Sequence, residues 1–181
     1  MPSILPDYLA IVVAIGATLQ ESHVTAQFPE RLHYEDQVNS MCTEPLGEYF
    51  SLLEIEPPFQ WSNTALWRSY VGTWEILEGR LYLIKLEGRM KDGAEVTVAS
   101  IFPDFPTRVF AHWYSGVLRV PQGQLLNYVH MGYGNTFGED LLIEVECGVV
   151  QGTSIRKNNL DTDSASAFDG IPITSLPGGK E

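Results

Sequence analysis

The sequence predicts a mainly β protein, in which an antiparallel meander forms a sandwich or an open barrel with one or two short helices. Two observations support this fold class. Turn signals at Glu78-Gly79, Pro121-Gln122-Gly123 and Cys147-Gly148 separate short apolar runs, as in consecutive hairpins. Aromatic residues, which are favoured in strands, are concentrated within residues 67–150. The runs share no fixed period, so a meander is expected rather than a sequence repeat.

The clearest hairpin lies at residues 74–86. Glu78-Gly79 supplies a two-residue turn, in which glycine tolerates a positive φ. The register set by this turn pairs Leu77 with Arg80, Ile76 with Leu81, and Trp74 with Leu83. One face then carries four large apolar side chains that should point at the core, namely Trp74, Ile76, Leu81 and Leu83. The opposite face is only partly polar, which favours a sandwich, a barrel or a helix-covered sheet.

The segments before this hairpin follow weaker signals. An apolar run at residues 8–19 is too short to span a bilayer and has no basic leader. We therefore expect neither a membrane segment nor a signal peptide. The β-branched core at residues 11–15 favours a buried strand, with a helix as the second interpretation. Residues 34–41 are predicted as a short helix, and residues 48–55 as a strand that ends before Pro57-Pro58.

The segments after the hairpin are predicted as strands joined by turns. Lys91-Asp92-Gly93 is the first of these turns, and Pro121-Gln122-Gly123 is expected to reverse the chain again. The predicted strands are residues 94–102, 108–120, 124–131, 141–145 and 149–155. The composition shifts to Asp, Ser, Thr, Gly and Pro from Asn158 onward. We expect a single β-rich domain at residues 1–157 and a flexible polar tail at residues 158–181, whose deletion after Asn159 should cost little stability.

Charge and cysteine content narrow the function classes. The chain has 11 Lys+Arg against 23 Asp+Glu, a net charge of −12 and a pI of about 4.6. Nucleic acids and anionic membranes need basic residues, so neither is an expected partner. A basic protein would be attracted, although acidity can also serve solubility alone. Two cysteines, Cys42 and Cys147, do not make a disulfide framework, and a reduced cytoplasmic location is the simpler inference.

The chain resembles a family of uncharacterised bacterial proteins in three segments: WRSYVGTWEI at residues 67–76, GRLYL at residues 79–83, and PQGQLLNYVHMGYG at residues 121–134. The later Glu139-Asp140-Leu141 fits the same pattern, and the resemblance covers about half of the chain, residues 67–150. It implies a bacterial or phage source and a small cytosolic protein, with no activity or catalytic residue to carry over. Small acidic bacterial proteins of this kind resemble immunity proteins or antitoxins, an analogy at the level of protein class.

Two histidines are the first candidates for chemistry. If the turn at residues 121–123 pairs Val120 with Gln124, His112 and His130 share one face in diagonal positions about 7–8 Å apart at Cα. Zinc would need further ligands, such as Glu139 or Asp140, and a shift of one residue separates the histidines. We expect no metal and no cofactor. The residues of a possible ligand site are His112, Trp113, Tyr114, Tyr128 and His130.

The aromatic residues could line a groove for sugars or a partner, although most aromatic residues in strands pack the core. The glycine-rich segment at residues 131–138 lacks the lysine of a phosphate-binding loop, which favours a surface loop in which Tyr133 could anchor a partner. Four nearby acids, Glu139, Asp140, Glu144 and Glu146, predict a solvated acidic face. Paired acids could also serve glycoside hydrolysis.

These patterns favour a binding protein over an enzyme. The predicted function is an acidic protein-binding module, most concretely a bacterial immunity or antitoxin-type protein that masks a basic partner. Its expected partner-binding residues are Tyr133, Glu139, Asp140, Glu144 and Glu146. The alternative is a small-molecule or carbohydrate-binding β domain, with or without enzymatic activity, that uses the aromatic and histidine site.

Overall fold

The computed structural model describes residues 26–129 and 132–159 as a mainly β protein. Within these ranges the chain forms eight strands and two short helices, which confirms the predicted fold class. In chain order the elements are β1 (Glu30–Tyr34), β2 (Gln37–Met41), α1 (Pro45–Leu52), β3 (Tyr70–Leu77), β4 (Arg80–Gly88), α2 (Val98–Ile101), β5 (Val109–Phe110), β6 (Gly116–Asn127), β7 (Thr136–Glu146) and β8 (Val149–Lys157).

The strands form one open sheet in the order β2-β1-β3-β4-β8-β7-β6, and β5 pairs with β4 beside this path. All pairings are antiparallel except that of β1 with β3, which is parallel. The sheet curls, so that its two outer strands meet at one end. There the Cys42 N–H donates to the Arg119 carbonyl at 2.8 Å, and the Arg119 N–H donates to Oγ1 of Thr43 at 2.9 Å.

The hairpin of β3 and β4 confirms the predicted register and its turn. Glu78 and Gly79 have φ values of 51° and 71°, the left-handed region that this turn requires. The pairs are Leu77 with Arg80, Ile76 with Leu81, and Trp74 with Leu83. Trp74, Leu81 and Leu83 are fully buried, and Ile76 packs against the same core while partly exposed.

Two predictions before β3 are wrong. Residues 34–41 form no helix, because Glu35 and Asp36, at φ values of 49° and 58°, turn β1 directly into β2. Residues 48–55 form no strand, because α1 covers Pro45–Leu52 and places Leu46 and Phe50, four residues apart, in the core. A proline in the first turn and apolar residues at i and i+4 are the helix signals that this segment carries.

Pro121-Gln122-Gly123 does not reverse the chain, so the predicted pairing of Val120 with Gln124 is wrong. These residues lie inside β6, and Val120 is opposite Leu141 on β7. The register of the two strands shifts between Gln122 and Leu125, and Gly123 has a φ of 76°. Proline and a glycine with positive φ suit a β-bulge as well as a turn, so the local sequence did not distinguish them.

The region between β4 and β6 contains less strand than predicted. A short helix, α2, interrupts residues 94–102, and it begins with a capping box in which Thr97 and Ser100 exchange hydrogen bonds with each other's backbone. Residues 108–120 are divided into β5 and the start of β6 by a loop at residues 111–115. The turns at Lys91-Asp92-Gly93 and Cys147-Gly148 are confirmed.

Some predictions fall outside the described ranges, namely the strand at residues 8–19, His130, and the tail from residue 160 onward. Asn158, the first residue of the predicted tail, is buried against β7, and its N–H donates to the Gly138 carbonyl at 3.0 Å. None of the helices in the described ranges is long and apolar enough to cross a membrane.

Candidate functional site

The WRSYVGTWEI segment contributes to a buried polar cluster at the start of β3. Tyr70, Gly72 and Trp74 alternate along β3 and point to the same face. Ser69, with a φ of 65°, bends the chain just before the strand, and the Arg68 guanidinium carbon lies 5.5 Å from the centre of the Tyr70 ring. The Arg68 side chain is only 6% exposed, so its charge requires a partner inside the protein.

Glu30 is that partner. It is fully buried at the start of β1, where its Oε1 accepts from Nε of Arg68 at 2.7 Å and its Oε2 accepts from Nε1 of Trp74 at 2.6 Å. Burial raises the pKa of Glu30, while the charge of Arg68 and the hydrogen bond from Trp74 oppose that rise. A Cβ atom at position 72 would overlap Oε2 of Glu30, so glycine there makes room for the carboxylate.

Tyr133 joins this cluster from the glycine-rich loop, so it is not the exposed anchor that the sequence predicted. NH1 of Arg68 donates to the Tyr133 hydroxyl at 2.6 Å, and that hydroxyl lies 2.9 Å from Oε1 of Glu44. Burial raises the pKa of Tyr133 well above its usual value. The hydroxyl that a partner would need is therefore engaged inside the protein.

Asp140 forms the centre of a second polar cluster, and its predicted place on a solvated face is wrong. The residue is fully buried, and its carboxylate accepts from Nε of Arg119 at 3.0 Å, NH2 of Arg156 at 2.7 Å and Nδ2 of Asn158 at 2.9 Å. Burial alone would raise the pKa of Asp140, but the combined effect of these three partners holds it below its usual value.

Arg119 links the two clusters through the loop that carries Tyr133. Its NH1 donates to the Tyr133 carbonyl at 2.9 Å, and its NH2 donates to the Asn135 carbonyl at 3.0 Å. The Asn135 side chain in turn accepts from the Val129 N–H. Two arginines thus hold the glycine-rich loop, Arg68 at the Tyr133 hydroxyl and Arg119 at the Tyr133 and Asn135 carbonyls.

The other predicted acids lie at the surface. Glu144 and Glu146 are exposed, and they alternate with the buried Ile143 and Val145 along β7. Neither carboxylate has an ion pair within the described ranges. Glu139 is half-buried and opposite Lys157 on β8. Of the predicted acidic face, Glu144 and Glu146 are the two members available to a partner.

Two turns meet beside Glu146. The Leu81 N–H donates to the Gly148 carbonyl, and the Val150 N–H donates to the Gly79 carbonyl, both at 2.8 Å. These bonds hold the β3–β4 turn against the β7–β8 turn. Two apolar residues at this junction, Leu77 and Val149, are 41% and 38% exposed. We call this region, made of Leu77, Glu78, Arg80, Glu144, Glu146 and Val149, the turn surface; the exposed Arg80 lies opposite both Leu77 and Val149.

The alternative ligand site is not assembled by the residues that the sequence suggested. Trp113 stacks on Phe102 with ring centres 5.3 Å apart, and its Nε1 donates to the Pro45 carbonyl. Tyr114 is buried, and Tyr128 lies beyond the end of β6 and is half exposed. His112 is exposed in the loop between β5 and β6, and His130 lies outside the described residues.

The described residues contain no group of three or more His, Cys, Asp and Glu side chains that could hold a metal ion. Both cysteines are free. Burial raises the pKa of Cys42 to about 11, so its thiol stays protonated at neutral pH and is a weak nucleophile. Cys147 is exposed in the β7–β8 turn.

The sequence interpretation did not identify the two charged clusters. Glu30 and Arg68 are 38 residues apart, and Arg119 and Asp140 are 21 residues apart. The available signal was the alternation of Tyr70, Gly72 and Trp74 after an arginine, which placed polar and aromatic groups on one buried face. Comparisons with protein-family models, with curated proteins and with solved structures found no match to this chain. The resemblance to a bacterial family stays a prediction.

Proposed function

We propose that this protein is an acidic binding module whose turn surface binds a basic protein partner. The observation that carries the proposal is the position of Glu144 and Glu146. Both are exposed and without an ion pair in the described ranges, and Glu146 lies opposite the exposed Val149, which Arg80 separates from the exposed Leu77. Apolar contacts surrounded by charged groups are the usual composition of a protein interface.

The internal pairing of other charges supports a binding role. Arg68 with Glu30, and Arg119 and Arg156 with Asp140, use their charges to hold the sheet together. Glu144 and Glu146, by contrast, are exposed acids without an ion pair among the described residues. The turn surface lies where two hairpin turns are hydrogen-bonded to strand ends, which restricts its motion and lowers the entropy lost on binding.

The net charge of −12 supports a basic partner in particular. An acidic field speeds the encounter with a basic protein and is screened by salt over about 8 Å at physiological ionic strength. An immunity or antitoxin-type protein, which covers the basic surface of a toxin, is the most concrete form of this proposal. It fits the acidity of the chain and its resemblance to small bacterial proteins.

The test begins with affinity capture of a partner from bacterial lysate, followed by binding kinetics with the purified pair. The double variant Glu144→Lys/Glu146→Lys should slow association about tenfold or more and flatten its dependence on salt. The matched control is Glu95→Lys/Asp104→Lys, which replaces two exposed acids and changes the net charge equally. Both control residues come after the end of β4 at Gly88. The turn surface instead lies beside the start of β4 at Arg80.

The two variants separate a local site from a general charge effect. If both slow association equally, the overall field matters and the turn surface is not the site. If neither changes the rate, the interface lies elsewhere and the proposal is wrong. Both variants should keep the melting temperature of the natural protein, because exposed charges contribute little to stability.

A further inference from the structure

A surface cavity lies beside the last residue of β4, at the opposite end of that strand from the turn surface. Its volume is about 400 Å³, which is within the range of small-molecule sites. The loop at residues 60–69 and the end of β4 form its walls. The side chains around it include one indole, several neutral polar groups and one guanidinium, from Gln60, Trp61, Ser62, Ser69 and Arg89.

Trp61 exposes a large apolar surface at this cavity. It is 65% exposed, whereas Trp74 is fully buried and Trp113 stacks on Phe102. None of the ring contacts among the described residues involves Trp61. An indole has a large apolar area to bury, so one that stays in solvent at the wall of a cavity is available to a ligand.

Neutral polar side chains lie around the same cavity. Those of Gln60, Ser62 and Ser69 make no hydrogen bond within the described part of the chain. Ser69 also has a φ of 65°, although only 6% of the residue is exposed. A residue with a side chain rarely adopts this conformation, and such backbone strain is concentrated at binding and active sites. These groups can therefore donate and accept hydrogen bonds to a ligand.

Arg89 adds a single charge to the cavity. Its NH1 donates to the Gly93 carbonyl at 3.2 Å, which orients the guanidinium and leaves other N–H groups for a ligand. Arg89 forms no ion pair with another described residue. Its charge disfavours a cationic ligand, while the net charge of −12 on the whole chain disfavours an anionic one. A neutral ligand fits both conditions.

The wall that carries Trp61 is held in place by the protein itself. The Gln60 N–H donates to the Arg89 carbonyl at 2.8 Å. The preceding residue, Phe59, is buried, and its ring centre lies 4.8 Å from that of Tyr70. A wall that is already ordered lowers the entropy lost when a ligand binds.

We propose that this cavity binds one ring of a neutral carbohydrate, which stacks its C–H face on Trp61. A sugar ring has an apolar face of C–H groups and a rim of hydroxyls that both donate and accept hydrogen bonds. The indole matches the apolar face. The rim hydroxyls hydrogen-bond to the polar side chains of the cavity, namely Gln60, Ser62, Ser69 and Arg89. The proposal is independent of the turn surface and of its basic partner.

The test is titration of the full chain with four neutral trisaccharides, namely maltotriose, cellotriose, mannotriose and triacetylchitotriose, followed by NMR of the indole N–H groups. We expect at least one sugar to bind with a Kd of about 1 mM or lower and to shift the Trp61 signal. Trp61→Ala should weaken this binding about tenfold or more, because it removes the stacking surface. Gln60→Ala should weaken it about threefold, because it removes hydrogen bonds.

The matched control is Trp67→Ala, since Trp67 is 54% exposed but does not line the cavity. This variant should bind the sugar as the natural protein does. The proposal is wrong if none of the four sugars binds at about 10 mM. It is also wrong if Trp61→Ala keeps the natural affinity, or if Trp67→Ala weakens binding as much as Trp61→Ala does.

Two comparison ligands separate a carbohydrate site from other kinds of site. Indole has an apolar ring without hydroxyls, and trigalacturonate is an anionic sugar. Both should bind more weakly than the best neutral sugar. Binding of indole but of no sugar would show an apolar site, and tighter binding of trigalacturonate would show an anion site. Either result would overturn the assignment of a neutral carbohydrate.

Discussion

Nε of Arg68 lies 2.7 Å from Oε1 of Glu30, and neither side chain has more than 6% of its surface exposed. A charge removed from water at this depth is tolerated only while its partner remains. Arg68→Met should therefore lower the free energy of unfolding by about 3–5 kcal/mol, because it leaves the buried carboxylate uncompensated. Urea unfolding at neutral pH measures this change.

Two further variants make this prediction specific. Adding Glu30→Gln to Arg68→Met removes the orphaned charge, so the double variant should be more stable than the sum of the two single effects predicts. Arg31→Met breaks a surface ion pair with Glu87, in which both side chains are at least 40% exposed. It should cost about 1 kcal/mol or less. If the free-energy costs of Arg68→Met and Glu30→Gln simply add in the double variant, the prediction is wrong.

Gly72 should tolerate no side chain. A Cβ atom there would overlap Oε2 of Glu30 and lie 2.8 Å from Nε1 of Trp74. Gly72→Ala should lower the free energy of unfolding by about 1–3 kcal/mol, because the buried carboxylate would have to move. Gly152 is the control, since a Cβ atom there meets nothing within 4 Å. If thermal melting shows equal effects for the two alanine variants, the proposed crowding is wrong.

Removing the hydroxyl group should have different effects on stability at two tyrosines, Tyr133 and Tyr70. Tyr133→Phe loses hydrogen bonds to Arg68 and Glu44 and should cost about 1–3 kcal/mol. The Tyr70 hydroxyl is buried without a hydrogen-bond partner among the described residues. Tyr70→Phe should be neutral or stabilise the protein by about 1 kcal/mol, because an unsatisfied buried group is removed. Chemical unfolding of the pair tests the difference, and a larger loss in Tyr70→Phe would refute it.

Asp140 should make the folding stability of the protein depend on pH in the acidic range. Its partners hold its pKa in the folded protein below the ordinary value of 3.8, so the unfolded chain binds the proton more readily. The contribution of Asp140 to folding stability is fully present at pH values above the ordinary pKa. It is lost as the pH falls through the lower pKa of the folded protein. The difference in stability between the natural protein and Asp140→Asn should therefore narrow as the pH falls from about 6 to about 2. A difference that stays constant over this range would contradict the prediction.

The folded domain should include Asn158, the first residue of the predicted tail. Nδ2 of Asn158 donates to Asp140 at 2.9 Å and to the Phe137 carbonyl at 3.0 Å. Truncation after Asn159 should leave the melting temperature nearly unchanged, whereas truncation after Lys157 should lower the free energy of unfolding by about 1–3 kcal/mol. Equal melting temperatures for the two shortened chains would show that Asn158 contributes little.

Turn chemistry explains which strand boundaries could be predicted. Glu78-Gly79 and Cys147-Gly148 place glycine in a two-residue loop, and both form the hairpins that this signal predicts. Glu35-Asp36 makes the same kind of reversal without glycine, so the β1–β2 hairpin was missed. Pro121-Gln122-Gly123 carries a turn composition but forms a bulge within β6, because pairing with β7 on both sides of it keeps the strand continuous.

The sequence by itself determined the mainly β fold class, the β3–β4 register and the burial of Trp74, Leu81 and Leu83, because turn residues and alternation act over a few neighbouring positions. Only the tertiary structure decided which charged residues are buried and which are exposed. Asp140 is adjacent to Glu139 in sequence and separated by four residues from Glu144, yet two arginines and Asn158 bury it while Glu144 stays exposed. Whether a carboxylate faces solvent or an arginine depends on which distant strands pack beside it, and no local pattern encodes that choice.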